Sequence, residues 1–511
     1  MPSRHVAHRS LAAAAATVLA LLLAAAPAAA SGPPLVAWEQ SLRPDLLSLG
    51  YPRNDAFDPI VATHPTDPAT LAVAYHWKPK KGAPCGFAPG LRITTDGGTT
   101  WHEAARRPWA GSGRQPNWHA TIAFGPGPEP GSARLYWADT TVASCAFTDH
   151  RLSVAWSDDL GTTWSPLLVY KGTPATSAGG YPDITVDRNP ASPSFGAVYA
   201  AINWFEGGAE PGYRVIASAD YGASWTAHEI APLEAPRRYQ YAYRIGYRLR
   251  SAPDGGLFAS FCQRDRRSRT GATGRLAWAV ARLQINAKTG ALTGGPPRLA
   301  RAVGANKFNL SIGYAPGTID WQALGTCWSH GIDVDASGRL YLAIGDYRPK
   351  VSGAGRGLVR VGWSDNAGID WSWQALPAAP ALKGRHQSSY RPTLVVSGEA
   401  VFVGLHLLVD VPLGTRSAAA TVANAYAVSY DRGATFGVPA TIGDSRWHLD
   451  WLDHQRNGPG IRDRAELTAD GRVIYVYGDG RNAAAKPDSR WGRGAIYATA
   501  ISLEVEPLPE P

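Results

Sequence analysis

The chain has 511 residues and a formal charge of +9 at pH 7, and it is rich in glycine, proline and tryptophan, with 55, 40 and 19 copies. No long amphipathic helical pattern is present, so this composition favours an all-β protein. No basic run is interleaved with aromatic residues, which argues against a nucleic-acid partner.

The first 30 residues show the order of features of a secretory signal peptide. Arg4 and Arg9 make a basic start, an apolar run follows over residues 11–26, and small residues offer a cleavage site near Ala30. The apolar run is short for a membrane span, and no later segment is apolar enough to cross a bilayer. Export would remove residues 1–30 with their two arginines and lower the charge from +9 to +7. We therefore expect residues 31–511 to form a single secreted or periplasmic domain without membrane insertion.

An eight-residue pattern, Ser/Thr-x-Asp-x-Gly-x-x-Trp, recurs along the chain, and we call it the box. Its first copy is "TTDGGTTW" from Thr94, and its last copy, "SYDRGATF" from Ser429, ends in Phe instead of Trp. The third position of the five copies is occupied by Asp96, Asp159, Asp220, Asn366 and Asp431. These positions are 63, 61, 146 and 65 residues apart, so the long interval holds two periods. The unit without a box carries "QINAKTGALTGG" from Gln284 in its place.

Each box is expected to form the turn between the third and fourth strands of its unit. The Asp carboxylate suits backbone N–H groups of its own turn, and the Gly allows a backbone angle that other residues resist. The Trp ring is expected to pack between neighbouring units. The box is therefore predicted to be structural and to take no part in chemistry.

The strands around the boxes repeat in a constant order. The third unit shows it as "PDITVD", "AVYAAINW" and "YRVIASAD", followed by the box and a fourth strand. Four antiparallel strands per unit, repeated radially, predict the blades of a β-propeller. We count seven units, and residues 34–40 at the N-terminus could supply the missing fourth strand of the last one. The alternative is six blades with an additional domain.

The boxes resemble the Asp-boxes, or bacterial neuraminidase repeats, of the sialidase-like propeller superfamily. "FDPIVATHPTDPATLAVAYH" from Phe57 resembles the first-blade opening of secreted sialidase-like proteins, and "RDRAELTADGRVIYVYGDGRN" from Arg462 resembles their last blade. The resemblance covers nearly the whole mature chain. It implies the propeller fold, but the superfamily contains sialidases, other glycosidases, polysaccharide lyases and non-catalytic proteins.

The starts of the first strands are expected to converge on the propeller axis at the face opposite the boxes. Charged and aromatic residues stand at these starts: Asp58, His119, Asp183, Tyr243, Arg244, His330, Tyr390, Arg391, Arg464 and Glu466. In the fourth unit the register is open, and Tyr247 or Arg248 could replace Arg244. Arginines around a funnel suit a carboxylate, which a guanidinium grips with two hydrogen bonds. We therefore expect an anionic glycan as partner.

From their position we expect His119, Asp183 and His330 to bind substrate. The resemblance to sialidases implies roles for other residues of the set, and the carboxylate clamp would consist of Arg244, Arg391 and Arg464. Tyr390 would be the nucleophile with Glu466 as its partner, and Asp58 the acid–base, a known departure from the two-carboxylate scheme of glycosidases.

The first hypothesis is therefore an exo-acting sialidase-like glycoside hydrolase. A polysaccharide lyase on a uronate is the second, because a Tyr or His base beside an arginine would also serve that reaction. A non-catalytic carbohydrate-binding propeller is the third.

Four cysteines in an exported chain allow two disulfides. We expect Cys85–Cys145 and Cys262–Cys327, because each pair would join neighbouring blades. Residues 447–455 carry two His and two Asp but lack a known metal-binding spacing, so neither a metal nor another cofactor is expected. We also expect a monomer.

Overall fold

A computed structural model describes most of the strands and the turns between them. It covers residues 36–42, 56–77, 88–104, 108–109, 112–143, 151–170, 176–178, 182–206, 212–231, 241–265, 274–306, 330–348, 356–378, 385–412, 421–448, 463–479 and 495–503. The predicted signal peptide, Cys85, Cys145, Cys327 and most of residues 447–455 lie outside these ranges.

The described strands form seven antiparallel sheets, which are the blades of a propeller. The first blade contains β2 (Ala56–Thr63), β3 (Leu71–Trp77), β4 (Ala88–Thr94) and β5 (His102–Glu103). The second contains β6 (Gln115–Pro126), β7 (Ala133–Val142), β8 (Arg151–Ser157) and β9 (Leu168–Val169). The third contains β10 (Thr176–Ala178) and β11 (Asp183–Val186), which both pair with β12 (Val198–Glu206), and then β13 (Gly212–Ser218) and β14 (Thr226–Ile230).

The fourth blade contains β15 (Tyr241–Ser251), β16 (Gly256–Asp265) and β17 (Gly274–Ile285), and both β18 (Leu292–Gly294) and β19 (Arg298–Asn306) pair with β17. The fifth contains β20 (Gly331–Val334), β21 (Leu340–Arg348), β22 (Arg356–Ser364) and β23 (Ser372–Ala375). The sixth contains β24 (Arg385–Ser397), β25 (Ala400–Pro412), β26 (Thr421–Ser429) and β27 (Ala440–His448). Each blade keeps four strand positions, because the extra strands divide one position into two segments.

The seventh blade closes the ring with a strand from the N-terminal side. It contains β28 (Arg464–Leu467), β29 (Val473–Asp479), β30 (Ala495–Ile501) and, in the fourth position, β1 (Val36–Ser41). The sequence prediction of seven blades closed by residues near 34–40 is confirmed, and the six-bladed alternative is wrong.

Apolar side chains fill the seams between the blades. The structure has seven buried clusters, and each combines residues from two neighbouring blades. Between the third and fourth blades, for example, the rings of Tyr213 and Tyr247 stack with centroids 4.0 Å apart. Burial of both faces of every sheet therefore links the blades into one ring.

The boxes form the turns between the third and fourth strands, and the four boxes with Asp at the third position share one set of hydrogen bonds. In the second blade, the Ser157 hydroxyl donates to Asp159 Oδ1 at 2.8 Å and accepts from the Gly161 amide at 2.7 Å. Asp159 also accepts from the amide and hydroxyl of Thr163 at 2.8 and 2.6 Å. Four residues are thus fixed by one carboxylate and one hydroxyl within a single turn.

Each box aromatic packs against the seam with the preceding blade. Trp164, for example, packs on the cluster between the first two blades, and Phe436 is buried in the cluster between the fifth and sixth. The residue after the box Asp has a left-handed backbone, as at Leu160 with φ 55°.

The fourth blade, which lacks a box, replaces it with a simpler turn. The Asn286 side chain accepts hydrogen bonds from the amides of Lys288 and Thr289 at 3.0 and 3.1 Å, and Gly290 has a φ of 69°. This turn joins β17 to β18, where the sequence analysis places it.

Cys262 in β16 is disulfide-bonded, and none of the described cysteines is free. The other three cysteines lie outside the described ranges, so both predicted pairings stay predictions. No helix within the described ranges is long and apolar enough to span a membrane.

Candidate functional site

The first strands line the propeller axis, and their charged side chains form two layers along it. The layer nearer the strand starts, which we call the start-face layer, consists of Asp58, Asp183, Arg248, His330 and Arg464. The layer nearer the boxes, which we call the box-face layer, consists of Arg188, Arg250, Asp333 and Glu466. Two strands contribute to both layers with residues two positions apart, since alternate side chains on a strand point the same way.

Asp183 and Arg464 form an ion pair across the axis between the third and seventh blades. Asp183 Oδ1 accepts from the Arg464 guanidinium, and Asp183 Oδ2 accepts from the Leu249 amide at 2.8 Å. Burial lowers the pKa of Arg464 to about 10, although nearby Glu466 opposes the change. Arg464 stays charged at neutral pH, and its Nε is buried without a hydrogen-bond partner among the described residues.

Arg248 is the second buried arginine of the start-face layer, with an exposed fraction of 1%. Its Nη1 donates to the Tyr247 carbonyl at 2.9 Å, and its Nη2 is buried without a partner within the described ranges. Burial, and then the charge of Arg250, lower the pKa of Arg248 to about 10, while Asp58 opposes them. Arg248 therefore carries a positive charge, and its Nη2 group has no acceptor among the described residues.

His330 is a buried, neutral imidazole in the same layer. Its Nε2 and the Ser260 hydroxyl share a hydrogen bond at 2.6 Å, and its ring lies 4.7 Å from the Trp278 ring. Burial, and then the charge of Arg248, hold the pKa of His330 well below its usual range. Its Nδ1 is buried without a partner in the described part of the chain.

Asp58 and Arg391 are both buried and both have a left-handed backbone, with φ of 52° and 54°. Each lies at a register shift in the first strand of its blade and precedes a proline. A non-glycine residue in this region costs about 1–3 kcal/mol and often marks a functional position. Of the sequence candidates, these two therefore show backbone strain.

Tyr390 lies in the seam between the sixth and seventh blades beside a buried pair of a histidine and an aspartate. Its ring meets the His406 ring edge-on, with centroids 5.4 Å apart, and the Arg391 guanidinium lies 6.0 Å from the Tyr390 ring. His406 Nε2 lies 2.6 Å from Asp463 Oδ2, and both side chains are fully buried. Asp463 also accepts from the Gly478 amide at 3.1 Å, so the pair is anchored to β29.

Glu466 belongs to the box-face layer. It pairs with Arg250 at 3.1 Å and with Arg188 at 3.8 Å, and Arg250 pairs with Asp333 at 3.4 Å. Glu466 and its nearest arginines come from the seventh, fourth and third blades. The role of Glu466 as partner of Tyr390 stays a prediction. In the structure its carboxylate pairs with Arg250 and Arg188.

Two predicted site residues have side chains outside the described part of the structure. His119 lies in β6, where the next amide, of Ala120, donates to His76 Nε2 at 2.8 Å. Arg244 lies in β15 opposite Gln263. Within the described residues the arginine that β15 sends to the start-face layer is Arg248, which the sequence analysis left open as a replacement for Arg244.

Several polar residues near the axis escaped the sequence analysis: Arg188, Arg250, Asp333, His406 and Asp463. Arg250 could have been predicted, because side chains two positions apart on a strand lie on the same side and Arg250 stands two positions after Arg248, as Glu466 does after Arg464. His406 lies on a second strand and carried no such signal. No group of three or more His, Cys, Asp and Glu side chains in the described ranges is arranged to hold a metal ion.

No protein-family model matches the chain. No curated protein matches its sequence. Solved structures with a similar fold include an α-L-arabinanase of Penicillium chrysogenum in complex with arabinobiose. The two sequences are 12% identical, the match covers 91% of this chain and 98% of that one, and the TM-score is 0.43.

An α-L-arabinofuranosidase of Fusarium graminearum is similar at 10% identity over 92% and 99% of the two chains, with a TM-score of 0.42. A polysaccharide lyase described as an ulvan lyase is similar at 12% identity over 83% and 92%, with a TM-score of 0.43. Similarity at this level identifies neither a reaction nor a substrate. The chain is a seven-bladed β-propeller with charged side chains along its axis.

Proposed function

We propose that this protein acts on glycans and binds a carboxylate-bearing sugar at the start-face layer. The observation that carries the proposal is the pair of buried arginines, Arg248 and Arg464, each with an N–H group that no described residue accepts. A buried, unsatisfied donor on a charged group is costly, so a ligand that accepts from it gains the corresponding free energy.

Within this class, we propose an exo-acting sialidase-like glycoside hydrolase. Asp58 would act as acid–base, Tyr390 as nucleophile and Glu466 as its partner, with Arg391 completing the carboxylate clamp. Backbone strain at Asp58 and Arg391 supports their assignment, since strained residues concentrate at functional sites. The buried His406–Asp463 pair would hold the Tyr390 ring in place.

The test compares ligands that differ in the carboxylate alone. Binding of a sialoside and its methyl ester, and of a glucuronide and the matching glucoside, would be measured for the wild type and for Arg248→Lys and Arg464→Lys. Lysine keeps the positive charge but cannot form the two parallel hydrogen bonds of a guanidinium. Both variants should therefore bind the acid at least about tenfold more weakly than the wild type, while their affinity for the neutral analogue is unchanged. Equal binding of acid and neutral analogue by the wild type would refute the carboxylate site.

Catalysis would be followed in the same samples as release of sialic acid or another terminal sugar. Tyr390→Phe should abolish release and leave binding of the acid within about twofold, because it removes a hydroxyl and keeps the ring. Release by Tyr390→Phe at the wild-type rate would contradict the assigned nucleophile.

A uronate lyase is the second candidate, and His330 is the observation that favours it. A neutral imidazole beside Arg248 suits a base that removes the proton next to a carboxylate. The product distinguishes the reactions, because a lyase leaves an unsaturated uronate that absorbs ultraviolet light. That absorbance in the wild type, and its loss in His330→Gln, would replace the hydrolase by the lyase.

We also propose that the protein is exported. Expression of the full chain in a bacterial host should place the mature protein, cut near Ala30, in the periplasm or medium, and uncleaved protein in the cytoplasm would contradict export.

A further inference from the structure

We propose that the cavity at the box-face end of the axis is a second binding site, and that it takes a neutral, hydroxyl-rich ligand such as a sugar unit. The cavity has a volume of about 410 Å³, within the range of roughly 300–1,000 Å³ typical of ligand pockets. It lies where the first strands end, with Asn189, Pro253 and Ala336 in its wall. The carboxylate clamp uses other residues. Glu466, assigned above as the partner of Tyr390, also lines this cavity, so the variants below change Ala336 and Arg188 instead.

The box-face layer forms the polar part of this cavity. The side chains of Arg188 and Glu466 are 30% and 20% exposed, and those of Asp333 and Arg250 are 19% and 14% exposed. The Arg464 and Asp183 side chains of the start-face layer are only 7% and 0% exposed. The box-face charges therefore present polar edges to the cavity, whereas the start-face pair is enclosed.

A hydrogen-bond donor and an acceptor stand side by side in this layer. Arg250 Nη2 donates to Glu466 Oε1 at 3.1 Å, and Arg250 Nε lies 3.4 Å from Asp333 Oδ1. Glu466 Oε2 lies 3.8 Å from Arg188 Nη2, which is too long for a hydrogen bond. A ligand hydroxyl can donate to Glu466 Oε2 and accept from a guanidinium N–H at once.

The charges of the layer favour a neutral ligand. Two arginines and two carboxylates compensate each other, so the cavity floor has no excess positive charge. Of two further carboxylates in the wall, Asp335 pairs with Arg432, and Asp187 accepts hydrogen bonds from the Ser192 and Ser194 hydroxyls and adds a negative charge. An anion would gain little here, because no positive charge of the layer lacks a carboxylate nearby.

Ala336 gives the sharpest test because it is exposed on a turn and lines the cavity. Ala336→Trp would fill the mouth without burying a new group, and Ala336→Ser is the matched control. Calorimetric titrations would use methyl glucoside, methyl galactoside and arabinose as neutral probes, with glucuronate and glucosamine as charged probes. We expect a neutral probe to bind the wild type and Ala336→Ser, and to bind Ala336→Trp at least about tenfold more weakly.

A second variant, Arg188→Met, should also weaken the neutral probe by about tenfold, since it removes a donor from the layer. Arg464→Lys should leave this binding unchanged, which separates the two sites even if the proposed function is wrong. The inference is overturned if no neutral probe binds up to roughly 50 mM, well above a millimolar dissociation constant. It is overturned equally if the neutral probe binds Ala336→Trp as tightly as it binds the wild type. The same holds if a charged probe, glucuronate or glucosamine, is the one whose binding Ala336→Trp weakens.

Discussion

Asp139 in β7 is a carboxylic acid buried in the second blade without a hydrogen bond to any described residue. Burial raises the pKa of Asp139 well above its usual value, and the Thr140 amide and Trp137 indole N–H oppose the change. A buried carboxyl of this kind is tolerated at a cost, because its charged form has lost its water.

Asp139→Asn should stabilise the protein at neutral pH by about 1–3 kcal/mol, because it removes a charge that burial penalises. The folded-state pKa lies above the unfolded value of about 3.9, so the stability that the acid contributes is fully present below that pH. It is lost as the pH rises through the folded-state pKa. The gain from asparagine should therefore grow between pH 4 and 7, measured by urea unfolding.

Asp187→Asn is the matched control for this comparison. Asp187 is equally buried, but its Oδ2 accepts from the Ser192 and Ser194 hydroxyls at 2.5 and 2.6 Å. Its replacement should destabilise the protein at every pH in that range. A loss of stability in both variants at pH 7 would show that Asp139 has a partner that stabilises its charge.

At the scale of the element, the box shows which part of its sequence matters. Asn366 replaces Asp in the fifth blade, and its Oδ1 keeps the acceptor role toward the Ser364 hydroxyl and the Asp370 amide, at 3.0 and 2.9 Å. Its Nδ2 donates to Asp370 Oδ2 at 2.9 Å, which compensates for the lost charge. The turn therefore needs an acceptor at this position more than it needs a carboxylate.

Asp220→Ala should cost about 1–2 kcal/mol, since Asp220 accepts from the Ser224 amide and hydroxyl at 2.8 and 2.6 Å. Asp220→Asn keeps one acceptor and should cost less than half as much. Both values follow from urea unfolding at pH 7. Equal losses would mean that the carboxylate charge, and not the acceptor, holds the turn.

The closing strand offers a second prediction at this scale. Leu42 follows β1, donates its amide hydrogen to the Ile496 carbonyl at 3.0 Å, and is fully buried in the seam between the seventh and first blades. Leu42→Ala should cost about 2–5 kcal/mol, as a cavity in a core does. Val36→Ala, at the exposed end of the same strand, should change stability by less than about 0.5 kcal/mol. Equal effects in thermal unfolding would argue that ring closure depends on β1 pairing alone.

At the scale of the whole molecule, the Asp183–Arg464 ion pair ties opposite blades together across the axis. Removing one partner leaves a buried charge uncompensated, so Asp183→Asn or Arg464→Met alone should cost about 3–5 kcal/mol. The double variant should cost clearly less than the sum of the two. Denaturant unfolding of the wild type, the two single variants and the double variant gives the coupling free energy between the two side chains. If the losses of the single variants add up to that of the double variant within about 0.5 kcal/mol, the two residues do not stabilise each other across the axis.

The blade count and the box geometry followed from the sequence because their causes are local. Every box hydrogen bond described here joins residues within four positions of each other, so the pattern of eight letters already contains its partners. The spacing of the boxes then gives the number of blades, and the missing strand gives the closure by β1. Their position at the starts of the first strands also identified Asp58, Asp183, Arg464 and Glu466 as axial candidates.

The pairing of those candidates was decided by the tertiary structure alone. Arg464 meets Asp183 from 281 positions away, and Arg250 meets Glu466 from 216 positions away. Such contacts depend on how seven blades are arranged about an axis, which no local pattern encodes. The closed ring therefore determined that Glu466 joins Arg250 and Arg188, and that Arg248 faces the start-face layer.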